Sequence, residues 1–172
     1  IMTPGGNILS AGVGHPNSMA TMSGTSMASP NMAGCFLLAQ QYEEASGDTA
    51  IYTEAFHHML RRIAEVFRLE QRHERSAYSF ERENCPPSDT LPGGRGTPVG
   101  FTGMTWSGFR PSDDRCEYGY LIPANMMATV AMNAAARMAE KDFDDSLLAE
   151  ECRSLAAEFE KGIRRFGITE LE

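Results

Sequence analysis

Residues 1–42 contain no lysine, arginine, aspartate or glutamate. All 15 basic and 23 acidic side chains lie between Glu43 and Glu172, so an uncharged stretch rich in Gly, Ser, Met and Pro is joined to a strongly charged one. A break this sharp points to two segments of different origin. The formal net charge of −8 is the opposite of what a nucleic-acid-binding domain needs, and no nucleic-acid partner is expected. No run of about 18 apolar residues occurs, so no helix is expected to cross a membrane. No basic segment leads into a short apolar core near Ile1, and no secretory signal is expected in the sequence as it stands. The four cysteines (Cys35, Cys85, Cys116 and Cys152) are widely spaced and form no C-x-x-C pair, which argues against a zinc knuckle or a disulfide-dense scaffold. His15, His57, His58 and His73 form no H-E-x-x-H pattern. Free thiols and no metal site are therefore expected. At 172 residues and 42% hydrophobic, the chain has the length of one compact domain with its own core.

The N-terminal stretch reads as loop and short strand, with a turn at Pro4-Gly5-Gly6, and leads into a helix from about Thr25 to Ala45. Ser46-Gly47-Asp48 stops that helix, with Gly47 as a left-handed cap. Ile51, Ala55, Phe56, Met59, Leu60, Ile63, Val66 and Phe67 follow at helical spacing and predict a helix with one buried face, capped by Thr49 or Thr53. The charged "RLEQRHERS" after it reads as a return to solvent. From Tyr78 to Gly108, prolines and glycines exclude a long helix, and the aromatic residues Tyr78, Phe80, Phe101, Trp106 and Phe109 argue for an ordered, functional loop. Pro123 opens a second helix whose Ala and Met residues predict burial on most sides. A third runs from about Asp145 to Phe166, with Leu148, Cys152, Leu155, Phe159, Ile163 and Phe166 on its apolar face, an acidic approach ("DFDD") and a stop at Gly167.

Two constellations carry chemistry. The first is Gly24-Thr25-Ser26-Met27-Ala28-Ser29-Pro30. A serine among small residues at a helix start is exposed to substrate and sits where the helix dipole favours an oxyanion. "MSGTSMASPNMAG", with "TPGGNILSAG" before it, resembles the catalytic-serine segment of the subtilases over about residues 2–34, with Asn31 where His is usual. The resemblance implies that Ser26 occupies the nucleophile position. A subtilase takes its Asp, its His and its oxyanion Asn from segments with no match here, so Ser26 is expected to act only as a helix cap.

The second constellation is "TGMTWSGFRPSDDRCEYGYLIPANM", Thr102 to Met126. Paired carboxylates, an arginine and aromatic faces are the mixture that sugar chemistry uses: acids for proton transfer, Arg and Asp for hydroxyls, Trp and Tyr for stacking on a pyranose. On residues alone, Asp113-Asp114 is equally an acidic turn before a helix. This stretch, with "SGDTAIYTEAFHHML", "YSFERE", "DTLPGGRGTPV" and "EFEKGIRRFGI", resembles glycoside hydrolase family 125, the exo-α-1,6-mannosidases, over about residues 37–168.

The resemblance implies a mainly α fold: part of a six-hairpin (α/α) toroid (residues 37–172) after a subtilase-like segment (residues 1–36). It implies an α-mannoside glycan as substrate, terminal mannose removed with inversion, and no metal or other cofactor. The general acid is expected to be one of Asp113 and Asp114, with Asp113 the first choice. Arg110, Trp106, Ser112, Tyr118 and Asn125 are candidates for holding the sugar, with His57 and His58 behind them. The second carboxylate of an inverting pair is expected beyond Glu172, so this chain alone is expected to be inactive. An incomplete toroid is also expected to expose apolar helix faces.

Overall fold

The computed structural model describes residues 8–11, 19–22, 45–50 and 52–168. It divides into two compact units, Ile1–Ile51 and Tyr52–Glu172. In the first, strands β1 (Ile8–Ala11) and β2 (Met19–Met22) pair antiparallel, Ile8 opposite Met22 and Ala11 opposite Met19. Ala45 and Ser46 are helical, and Gly47 follows at a φ of 71°, the expected left-handed stop. The rest of the helix expected from Thr25, and Ser26 and His15 with it, lies outside the described residues.

The second unit is built on three helices: α1 (Glu54–Glu70), α2 (Ile122–Phe143) and α3 (Ser146–Gly162). Of the two threonines that could start α1, Thr53 does so, its hydroxyl accepting from the Phe56 N–H at 3.3 Å. Phe56, Leu60 and Ala64, four apart, form the buried stripe of α1. Helices α2 and α3 make an antiparallel hairpin joined by Asp144 and Asp145. Asp144 closes α2 in the left-handed conformation (φ 50°), and Asp145 caps α3 by accepting from the Leu148 N–H at 3.0 Å. Ala128, Met132, Ala135, Ala136 and Ala139 of α2 meet Leu148, Ala149, Cys152, Leu155, Ala156 and Phe159 of α3 in the core. Phe67 of α1 packs edge-on against Phe159 (5.7 Å between ring centres).

Two expectations are corrected. Burial of α2 on most sides fails at its first turns, where Met126, Met127 and Val130 are exposed. Its buried face is made of alanines, Asn125 and Met132. Phe166 leaves the apolar face of α3 because residues Ile163–Gly167 form a π-turn. The extra residue per turn rotates the register, so Ile163 stays buried while Phe166 is half exposed.

Polar ties bind α1 to α3 at both ends. Asp145 also accepts from His57 Nε2 at 2.8 Å and from Arg61 Nη2 at 2.6 Å. At the other end Arg68 donates to Glu151 and Glu158, both at 2.8 Å. The Leu148 N–H, with His57 and Arg61, holds the Asp145 carboxyl below the usual carboxylate range against the opposing effect of burial. Burial also works against the Glu158 charge, but hydrogen bonds from Arg68, Gln71 and Ser154 outweigh it and lower its pKa. Burial likewise opposes the Arg68 charge, and the two glutamates more than compensate, raising its pKa.

The loop between α1 and α2 lies directly on the backbone of α3. A Cβ at Gly162 would stand 2.7 Å from the Thr102 carbonyl oxygen, and one at Gly103 3.0 Å from that of Glu158. No side-chain layer separates the two segments there.

Depressed carboxylate pKa values stabilise the fold above the unfolded-state values and cease to do so as pH falls through the folded ones. Thermal unfolding of the chain is therefore expected to lose midpoint temperature below about pH 4. Asp145→Ala, which removes a cap and two charged hydrogen bonds, is expected to cost about 2–4 kcal/mol at pH 7 and to flatten that acid limb. An unchanged midpoint would show that the His57–Asp145–Arg61 cluster contributes nothing.

Candidate active site

The loop from Ser76 to Leu121 has no regular ladder, so its backbone groups are satisfied one at a time. Phe80 N–H donates to Gly94 O at 2.8 Å, Ser107 N–H to Gly119 O at 2.9 Å and Cys116 N–H to Gly108 O at 2.8 Å. Within this frame residues 109–115 form a tight hairpin, with Phe109 bridged to Arg115. Arg110 N–H donates to Asp114 O at 2.8 Å, and Asp113 N–H to Arg110 O at 3.0 Å. Pro111 suits the first corner of that turn, and Asp113 takes the left-handed position at a φ of 68°. Phe109 stands edge-on to Phe80, 5.2 Å between ring centres, which fixes the turn to the preceding segment.

The turn brings several of the expected residues together. Arg110 is ion-paired with Asp114, and the Ser112 hydroxyl donates to the same carboxylate. Arg110, Asp114 and Tyr118 line one cavity of about 570 Å³, along with Cys116, Glu117 and Leu121. Tyr118 is 77% exposed, so its ring is available to a ligand. Asp113 is exposed on the outer side of the turn, and Asp114 is half-buried. Burial pushes the Cys116 thiol up, with Arg110 opposing, and burial raises Cys152 to about 11. Cys85, Cys116 and Cys152 are all free thiols. Among the described residues, no three His, Cys, Asp or Glu side chains converge on a point that would hold a metal ion.

Other expected residues lie elsewhere. Asn125, proposed from the sequence as a sugar contact, is completely buried. Its Oδ1 accepts from the Thr105 N–H at 2.9 Å and its Nδ2 donates to the carbonyls of Thr105 (3.1 Å) and Leu121 (3.2 Å). The amide is spent on backbone, so Asn125 positions the loop and does not reach a ligand. His57 stacks on Phe143 at 4.4 Å and bonds Asp145, and His58 is an exposed partner of Glu54 on α1. Trp106 is not in the cavity lining. Its indole lies flat on His73, 3.6 Å between ring centres and 4° between planes.

The segment "RLEQRHERS" was expected in solvent, but Gln71 and His73 are buried at 2% and 5% exposure. Gln71 Nε2 donates to Gly103 O at 2.6 Å. His73 contacts Glu70 through Nδ1 at 2.6 Å and the Arg95 carbonyl through Nε2 at 3.0 Å. The Glu70 carbonyl accepts from the Trp106 N–H at 3.1 Å. The one sequence signal for this cluster is Glu70 three residues before His73 at a helix end, a spacing that places both on one side.

Comparison with known proteins gives three findings. The profile of the family described as metal-independent alpha-mannosidase (GH125) matches residues 30–172. The "Meiotically up-regulated gene 157 protein" of Schizosaccharomyces pombe is 34% identical over 95 residues, which is 54% of this chain and 18% of that protein. A solved Streptococcus pneumoniae structure, described among metal-independent α-mannosidases as a non-productive complex with α-1,6-mannobiose, superposes with a TM-score of 0.67 at 36% identity. That match covers 72% of this chain and 30% of the other, so the chain spans less than a third of either relative.

Asn125→Ala leaves the Thr105 N–H and C=O buried without partners and is expected to cost about 2–3 kcal/mol. Asn133→Ala, on the exposed side of α2, is expected to change stability by under about 0.5 kcal/mol. Urea unfolding of both variants checks this, and equal effects would remove Asn125 from the positioning role.

Proposed function

We propose that this chain, which belongs to glycoside hydrolase family 125, the metal-independent α-mannosidases, is part of an exo-acting α-1,6-mannosidase that removes terminal mannose with inversion. Its fold is mainly α and similar to part of the family's six-hairpin (α/α) toroid. The observation that carries the functional reading is the turn at residues 109–115, which sets Arg110 and Asp114 beside Tyr118 at one cavity, with Ser112 holding the Asp114 carboxylate.

In this reading the carboxyl groups divide the work. Asp114 is tied to Arg110 and Ser112, an arrangement that suits gripping a sugar hydroxyl and keeping a charge in place. A general acid must instead give up a proton to the leaving oxygen, and a carboxyl group already paired with a guanidinium is poorly suited to that. The acid role therefore goes to Asp113, presented on the outside of the turn. Inversion needs a second carboxylate about 6.5–9.5 Å away to activate water. We assign that base to another part of the toroid. Tyr118 supplies stacking surface for the pyranose at the cavity, and Trp106, outside the cavity lining, is read as a second stacking surface.

Two assays test the reading. Isothermal titration of the chain with α-1,6-mannobiose is expected to show binding that Arg110→Ala abolishes and Asp113→Asn retains, with little or no turnover of the disaccharide. Failure to bind an α-mannoside would remove the substrate assignment, and rapid turnover would remove the separation of acid and base. A fluorophosphonate probe is expected to leave Ser26 unlabelled, because the chain has no match to the segments that supply a subtilase serine with its Asp and His. Labelling lost in Ser26→Ala would establish a second, protease-type centre.

A further inference from the structure

We propose that His73 is a positioning residue of the sugar site: clamped between Glu70 and Arg95, it sets the plane of the Trp106 indole against which the pyranose stacks. The proposal rests on the reading of Trp106 as a stacking surface. It starts from a polar group left without a partner. The Trp106 Nε1 is buried and has no hydrogen-bond partner among the described residues. A buried indole is ordinarily oriented by that N–H. Here the orientation must come from the contacts of its faces and edges.

Two glycines lie close against the ring. A Cβ at Gly108 would stand 2.8 Å from Cη2 of the indole, and one at Gly119, which has a φ of +70°, would stand 2.8 Å from Nε1. Those contacts crowd the ring, and the tilt of its plane is set by what lies flat against it. That partner is His73, parallel within 4°. Tyr78, 58° from the indole plane at 5.8 Å, cannot define it.

The imidazole is itself held at both nitrogens, Nδ1 by Glu70 and Nε2 by the Arg95 carbonyl, so its plane has little freedom. Glu70 is fixed in turn by the Ser76 hydroxyl, and the Arg95 guanidinium returns a hydrogen bond to the His73 carbonyl at 2.9 Å. Glu70 also accepts the Trp106 N–H on its own carbonyl, so one residue holds the stacking pair at both members. Trp106 keeps part of its surface exposed, whereas His73 is 95% covered. A ligand can thus meet the indole but not the residue that aims it.

Trp106 is the sole tryptophan, so its fluorescence reports this contact directly. His73→Gln removes the flat ring, and His73→Phe restores a flat ring without the hydrogen bonds. Each variant would be measured by acrylamide quenching of Trp106 and by titration with α-1,6-mannobiose, beside Trp106→Ala. In His73→Gln, the tryptophan is expected to become more accessible to acrylamide and the mannobiose affinity to fall by about tenfold, with His73→Phe recovering most of it. If His73→Gln does not fold, Glu70→Gln, which keeps the shape of the clamp, is expected to show the same changes at about threefold. Wild-type affinity in a folded His73→Gln or Glu70→Gln chain overturns the positioning role and leaves the mannosidase reading intact. Wild-type affinity in Trp106→Ala, or no binding by the parent chain, overturns the stacking reading and this proposal with it.

Discussion

The backbone of the loop at Gly103, Thr105 and Trp106 is held by buried polar groups from the end of α1 and the start of α2, and the rest of the site depends on that. Gln71 takes the Gly103 carbonyl, Asn125 takes both backbone groups of Thr105, and the Glu70 carbonyl takes the Trp106 N–H. A segment without a ladder must satisfy each N–H and C=O separately, and leaving one unmet in the interior costs about as much as a good hydrogen bond provides. These few bonds therefore do for the loop what a sheet would otherwise do. They fix residues 103–106, the hydrogen bond between Ser107 and Gly119 extends the order, and the Arg110–Asp114 turn hangs from that frame.

Charge is used for holding throughout this unit. Asp145, Glu158 and Glu70 each accept from two or more groups; Asp145 and Glu158 join elements distant in sequence, and Glu70 ties the end of α1 to the turn that follows it. A carboxylate in this position needs several donors to offset the loss of water, and Arg is the side chain best shaped to give them. The cavity beside the turn works by the same means, with Asp114 held by Arg110 and Ser112 and Tyr118 left open to solvent.

Much of this was legible in the sequence, and the physical reasons separate what was from what was not. The stripe of α1 and the face of α3 are periodic over four turns, so Phe56, Leu60, Leu155 and Phe159 could be placed without knowing their partners. The residues of the turn were found together because they are neighbours in the chain. Asn125 was read as a sugar contact but is buried with its amide on the loop backbone, since no pattern in one sequence tells a buried amide from an exposed one. His73 and Gln71 were missed because burial of polar side chains at a helix exit is decided by a loop some 30 residues away. Phe166 was misplaced because a π-turn leaves no periodic trace.

The contact between Gly162 and Thr102, and that between Gly103 and Glu158, are backbone against backbone. Side chains ordinarily form a deformable layer between packed elements, and rotamer changes in that layer absorb small displacements. Here the layer is missing. A displacement of α3 at these two points therefore bears directly on the backbone of residues 102 and 103, a few residues before the tryptophan and the turn. The two glycines thus couple the helix to the loop, and any larger residue at either position would part them.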